Sequence, residues 1–375
     1  MKWQRTKSKD MQLPRLILFG LFIIPLSMLA QEPALTLGEL INIPSKALGE
    51  DRSIAVQLPD DYKAGNEKYP VFYVLDGEWN FHYTSALLGT LAEAGDIPKM
   101  ILVGIVNNNR NRDLLPDRGA SQFHAFLKNE LQPFVEKNYR TQPYRILAGH
   151  SFGGLYSLYN LLHHPYDFNA YIALSPSLGR NNEEVVKFAE QFFSSAPSLS
   201  QSLYLAIGNE GGWTYTSTKR FTAILEKYQP KGLHWIFEHL EKEDHSAMGI
   251  RGFLHGLEFI YRDFNPTKLA LDELGLVEDH YQVLSQKYGY EIPVPEAYYQ
   301  KFARQQMMEK EFDYAEWILG KYQAKFPNSM DLQATLVDFY LLSGNAVEAR
   351  VALEKLLQAK PEDEAAKRLL DMLKE

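Results

Sequence analysis

Cysteine is absent from this 375-residue chain. That excludes disulfides, thiol catalysis and cysteine-ligated metal. It leaves the compartment open, because an exported protein need not use disulfides. A basic excess is also missing. The formal net charge is -8, and residues 1–15 alone hold Lys2, Arg5, Lys7, Lys9 and Arg15 against Asp10, leaving the remainder near -12. So acidic a surface repels phosphate backbones and argues against nucleic acid as a partner. The uncharged apolar stretch from Leu16 to Ala30 counts 15 residues and contains Pro25, short of the ~20 that a membrane-spanning helix needs. Behind a basic start it reads as a secretory signal over 1–30 with Ala30 at the cleavage edge. Met28 fits poorly where a small residue is usual. The alternative is an uncleaved anchor, the one case in which the chain would touch a membrane. Both readings export the folded part, to the periplasm or beyond.

Hydrophobic residues make up 45% of the chain, enough for a substantial core. The length suits two domains. From about 35 to 264 strand and helix patterns alternate. Arg52 to Leu58 carries Ile54, Val56 and Leu58 on one face, as a half-exposed strand would. Val71–Leu75, Ile101–Val106 and Tyr171–Leu174 are continuously apolar, as strands covered on both faces require. Leu203–Ile207 and Leu233–Phe237 read as two further strands, and Phe123, Phe126, Leu127, Leu131 and Phe134 mark one helical stripe. These patterns predict an α/β sandwich with a mostly parallel sheet over 35–264. After a connection over 265–295 the composition turns to Ala, Leu, Lys and Glu without strand signals. Ala315, Leu319, Phe302 and Pro327 superpose on Ala349, Leu353, Leu336 and Pro361 at an offset of 34. A 34-residue period points to tetratricopeptide-like helix pairs at about 296–329 and 330–361, with a capping helix to 375. Two repeats are fewer than such arrays need alone. They are expected to lean on the first domain, on a second copy of the chain, or to serve a protein partner.

Chemistry concentrates in Gly149-His150-Ser151-Phe152-Gly153-Gly154, a G-x-S-x-G between the apolar run Ile146–Ala148 and a helical pattern of Leu155, Leu158, Tyr159 and Leu162. Strand, sharp turn and helix with serine at the apex is the context of a nucleophile elbow. A serine hydroxyl needs a base. His163 and His164 read as a solvated helix end, and His234 and His239 as strand packing. His245, on the loop after the last strand, is the expected general base. Glu210, after the strand Leu203–Ile207, is the expected acid, with Asp244, Glu243 or an unaided Ser–His dyad as rivals. The oxyanion donors are expected to be the amides of Phe152 and Glu78, the latter in the turn Leu75-Asp76-Gly77-Glu78-Trp79. Trp79 would line the pocket. Arg110 and Arg112 would bind an anionic substrate or form an internal Arg–Asp bridge. No cofactor and no metal is expected. A set of His239, Glu241, Glu243 and His245 could ligate one by residue type, at the expense of the base. The short stretch between Ser177 and Leu203 leaves no room for a large lid.

The segments Val74-Leu75-Asp76-Gly77, Asn107 through Arg110, Arg112, Asp113 and Pro116, Phe126 to Pro133, Gly149 through Gly154, Ser175-Pro176-Ser177 and Asp244-His245-Ser246 together resemble the putative-esterase family of α/β-hydrolases. That family includes esterase D, the ferric-siderophore esterases and the mycolyltransferases, and some members continue into tetratricopeptide helices. The resemblance implies an α/β-hydrolase fold with Ser151 as nucleophile and His245 as base, and less specifically Glu210 as acid. It implies hydrolysis of a small-molecule ester, siderophore-type or another soluble acyl ester, through an acyl-enzyme. Acyl transfer by the same nucleophile, or an inert hydrolase fold acting as a scaffold, are the alternatives.

Overall fold

The computed structural model describes residues 37–373, and the expected secretory signal over 1–30 lies outside the described residues. Eight strands form one sheet: β1 Glu39–Ser45, β2 Glu50–Gln57, β3 Tyr69–Leu75, β4 Ile101–Ile105, β5 Thr141–His150, β6 Ala170–Leu174, β7 Ser202–Gly208 and β8 His234–Leu240. Their order is β1-β2-β4-β3-β5-β6-β7-β8. The first two strands run antiparallel, and every pair from β4 to β8 is parallel. Each parallel step needs a crossover, which the helices α1 Gly77–Glu93, α2 Arg110–Leu114, α3 Ala120–Phe126, α4 Gln132–Asn138, α5 Phe152–His163, α6 Glu184–Ser194 and α7 Gly212–Tyr228 provide, and α8 Met248–Ile260 follows the last strand. Residues along the central strands are buried on both faces, which is why those runs are apolar without alternation.

Alternate residues of one strand serve two cores. Val71, Tyr73 and Leu75 pack with the side formed by α3 to α7. Phe72 and Val74 pack with the side formed by α1 and α8. Strand β2 alternates in burial as expected, and Arg52 lies on the same inward face as Ile54 and Val56. It is fully buried, its guanidinium donating to Asp113 at 2.7 Å, Glu50 at 2.8 Å and the Val106 carbonyl at 3.1 Å. The single helical stripe expected from Phe123 to Phe134 lies on one helical run over 120–138, interrupted by a π turn at Leu127–Leu131. Pro133 explains the interruption, since a proline ring collides with the carbonyl four residues earlier and lacks an N–H.

Beyond β8 the chain is helical throughout the described residues: α9 Leu274–Tyr288, α10 Glu296–Glu309, α11 Phe312–Lys325, α12 Met330–Leu342, α13 Ala346–Ala359 and α14 Glu364–Met372. This tail leans on the sheet domain. Tyr261 and Phe264, which follow α8, join Tyr281 and Tyr288 of α9 and Tyr299 and Phe302 of α10 in one continuous core with Phe72 and Ile146. Tyr288 is the pin. Its ring lies 5.2 Å from Tyr144 and 5.1 Å from Tyr261, and its hydroxyl donates to the Ile260 carbonyl at 3.0 Å. Tyr288→Ala is therefore expected to destabilise the chain by about 3–5 kcal/mol, the range for deleting a buried aromatic. Urea denaturation measures it, and a loss under about 1 kcal/mol would mean the tail is not anchored there.

Candidate active site

Three neighbouring parallel strands end in residues held at positive φ: Asp76 after β3 at 56°, Ser151 after β5 at 60°, and Ser175 after β6 at 40°. Side chains forced into that region are strained, and such strain persists only where surrounding structure over-determines it. Around Ser151 the glycines allow the tight bend. A Cβ on Gly149 would lie 2.4 Å from the Gly153 carbonyl carbon, and one on Gly154 would lie 2.7 Å from the Leu174 carbonyl oxygen. Helix α5 can approach strands β5 and β6 this closely only without those atoms. The Ser151 amide donates to the Leu174 carbonyl at 2.9 Å, tying the bend to β6. Ser151 stands at the N-cap of α5, and the Phe152 amide opens that helix's first turn. Amides in a first turn have no intrahelical acceptor. Glu78 lies in the corresponding first turn of α1, after the Asp76 cap.

His245 lies on the loop between β8 and α8 and lines the same cleft as Ser151. Its Nδ1 is 2.8 Å from Glu210 Oε2, and the other carboxylate oxygen of Glu210 accepts from the Ser175 hydroxyl. Burial opposes ionisation of Glu210, but the hydrogen bonds from His245 and Ser175 outweigh it and hold the carboxyl below its usual range. The rival acids are engaged elsewhere. Asp244 Oδ1 accepts from the amides of Ser246 and Ala247, both at 2.8 Å, and Glu243 pairs with Arg251 at 2.6 Å. The four-residue metal set suggested by the sequence does not converge among the described residues. Arg251 claims Glu243, and Glu210 claims His245.

The cleft measures about 520 Å³ and includes Trp79, Tyr83, His150, Ser151, His245 and Ile250 in its walls. Trp79 is 58% exposed and the His245 side chain 42%, so a solute reaches both without a lid moving. The two arginines of α2 separate. Arg110 lines the cleft, donating to Asp76 at 2.6 and 3.0 Å and to the His150 carbonyl at 3.1 Å. Burial pushes the Asp76 carboxyl up, and the Arg110 guanidinium offsets part of that. Arg112, for which substrate binding and an internal Arg–Asp bridge are the two readings of the sequence, binds Glu50 at 2.7 Å and Asp113 at 2.7 Å. Buried Asp113 carries two guanidinium groups, so Arg112 serves as the internal bridge that shapes the loop.

Four residues of the site were given no role by the sequence. Ser175 holds Glu210, Ser177 Oγ lies 3.3 Å from Ser151 Oγ, and Asp76 fixes Arg110. His150 stands with its ring 4.6 Å from that of His245 and its Nε2 buried without a protein partner. Burial, then the charges of His245 and Arg110, lower its pKa to about 4, so it is neutral at physiological pH. The only signal for it was its place as the variable residue of G-x-S-x-G, where motif reading treats it as filler.

Known proteins resemble this chain over the same region. Ferri-bacillibactin esterase BesA of Bacillus subtilis is 31% identical over 176 residues, which is 37% of this chain and 58% of that relative's length. Siderophore triacetylfusarinine C esterase of Aspergillus fumigatus is 28% identical over 227 residues, 54% of this chain and 73% of the relative. Among solved structures, an IroE-like serine hydrolase from Shewanella oneidensis aligns with a TM-score of 0.67 at 28% identity, covering 76% of this chain and 99% of that one. Residues 306–373 match the family described as tetratricopeptide repeat. Residues 45–240, more than half of the chain, match the family described as putative esterase, and the chain belongs to that family.

Proposed function

We propose that this chain is an exported serine esterase that cleaves a soluble carboxylic ester through an acyl-enzyme. The observation that carries the reading is the conjunction of a serine at φ 60° on an elbow with a His245–Glu210 pair at 2.8 Å in one cleft. Ser151 attacks the ester carbonyl as His245 takes its proton. Glu210 holds the imidazole tautomer and stabilises the imidazolium. The amides of Phe152 and Glu78 receive the oxyanion. His245 returns the proton to the departing alcohol, and water then attacks the acyl-enzyme by the same route. Preorganised amide dipoles around the reacting oxygen supply most of the acceleration that such a site can give.

A siderophore-type ester is the substrate class that best suits the site and its relatives. One relative is named as a ferri-bacillibactin esterase and another as a siderophore triacetylfusarinine C esterase. The cleft is open, rimmed by Trp79, and flanked by cations: the guanidiniums of Arg110 and Arg180 lie 4.8 and 5.1 Å from the centre of the Phe152 ring. A bulky anionic ester fits such a rim better than a lone acyl chain would. The test is covalent labelling with a fluorophosphonate, followed by a hydrolysis screen with ferric siderophores and p-nitrophenyl esters. Labelling of wild type but not of Ser151→Ala is expected. An unlabelled wild type would leave an inert scaffold as the reading. Products carrying an added acceptor alcohol in place of water would convert the assignment to acyl transfer.

A further inference from the structure

At the far end of α5 from Ser151, three side chains outside the cleft converge. His124 comes from α3, His164 caps α5, and Asp167 follows in the loop to β6. Their ligating atoms lie within 4.8 Å of one another. His124 Nε2 is 2.7 Å from Asp167 Oδ2, and the two imidazoles stack with centroids 3.4 Å apart and planes 4° from parallel. His164 and Asp167 share one turn, closed by the Asp167 amide on the His164 carbonyl at 3.1 Å. Half-buried His164 is the informative member. Among the described residues neither of its ring nitrogens has a hydrogen-bond partner. Two imidazolium rings would repel strongly at this separation, so at least one ring is neutral and carries a free in-plane lone pair.

We propose that His124, His164 and Asp167 form a site for a divalent transition-metal cation of the zinc type. Two imidazole nitrogens and one carboxylate oxygen suit zinc rather than calcium or magnesium, which prefer all-oxygen sets. Zinc–nitrogen bonds of about 2.0–2.1 Å place tetrahedral donors roughly 3.3 Å apart. The set therefore needs the His124–Asp167 contact to open slightly, the widest pair to draw in, and one imidazole to turn out of the stack, because the in-plane lone pairs of rings 3.4 Å apart and 4° from parallel cannot meet at one ion. Asp167 and His164 sit on a turn, where side-chain rotation suffices. The competitor is Lys128, whose ammonium is 2.7 Å from Asp167 Oδ1 and whose side chain is 44% exposed. It occupies the position of a cation, and it can swing into solvent when a divalent ion replaces it. The bound ion would tie α3 to the loop before β6. Helix α5 is 12 residues long, a rise of about 18 Å between Ser151 and His164 at its two ends, and the site is independent of the esterase reading.

The experiment uses the untagged, chelator-stripped full chain and titrates Zn²⁺ calorimetrically, with Co²⁺ absorption reporting tetrahedral N/O coordination. Wild type is expected to bind one equivalent that His164→Gln and Asp167→Asn each weaken by at least about 10-fold. Lys128→Met keeps all three ligands and removes the competing charge, so it is expected to bind zinc more tightly, with ester hydrolysis unchanged. Zinc should raise the melting temperature of wild type and not of His164→Gln. Equal zinc binding by wild type and His164→Gln, or no gain in Lys128→Met, overturns the site. Variants that lose their circular dichroism are set aside, and the Lys128→Met comparison then decides.

Discussion

Ser151→Ala is expected to lower turnover of a p-nitrophenyl ester by about 10⁶, because a nucleophile, base and acid that act as a unit fail together when any essential member is removed. Alanine at this position keeps the elbow, since the strain at φ 60° belongs to the backbone and Cβ, which both residues share. The variant should therefore fold and bind substrate with a KM close to wild type while kcat collapses. The residual rate above water would come from the amides of Phe152 and Glu78 and from binding alone. Preparations must be free of wild-type carry-over to below about one part in 10⁶, or contamination will set the floor. A residual rate within tenfold of wild type would remove Ser151 from the reaction. It would also leave the strained elbow without a chemical reason.

The legible parts of this fold were those where local pattern and tertiary demand agree. Val71–Leu75 and Tyr171–Leu174 read as strands because burial on both faces removes every charged residue from them. The elbow read clearly because glycines on both sides of Ser151 have a steric job that no other residue can do. What stayed hidden depends on partners far apart in sequence. Alternation puts Arg52 on the inward face of its strand but does not reveal the partner that matches its charge, Asp113, 61 positions away. For the same reason nothing local separated the roles of Arg110 and Arg112. Both precede Asp113 in the short helix α2, and only the fold decides that Asp76 claims one and Asp113 the other. His164 read as a solvated helix end, since its stacking partner His124 lies on a helix 40 positions earlier in the chain. First strand β1 carried too little apolar alternation to stand out, its outward face being exposed at the sheet edge.

Positive φ at Asp76, Ser151 and Ser175 connects the fold to the chemistry. Each residue ends a parallel strand and turns a side chain across the carboxyl edge of the sheet, where ligands of open α/β sheets bind. Asp76 fixes Arg110, Ser151 presents its hydroxyl, and Ser175 fixes Glu210. Placing strain at three neighbouring strand ends costs stability, of order 1–3 kcal/mol each. The two-sided core is what can tolerate it.

Glu210→Gln tests whether holding an acid at this strand end matters. Glutamine preserves the volume and keeps an oxygen near Ser175, but its amide can turn an N–H toward His245 Nδ1. That would favour the tautomer whose far nitrogen carries hydrogen and cannot take the proton of Ser151. A loss of about 10⁴ in kcat is expected, with KM little changed. A second readout separates catalysis from structure. Because the Glu210 carboxyl is held below its ordinary value by His245 and Ser175 against the cost of burial, the ionised carboxylate stabilises the fold above the usual carboxylate range. That contribution disappears as pH falls through the depressed value. Wild type should therefore lose urea resistance from about pH 5 downward more steeply than Glu210→Gln, whose amide does not titrate. Unaltered kcat together with parallel stability curves would mean that His245 works as part of an unaided dyad. Unaltered kcat with a flattened stability curve would make Glu210 a structural anchor for the His245 loop alone.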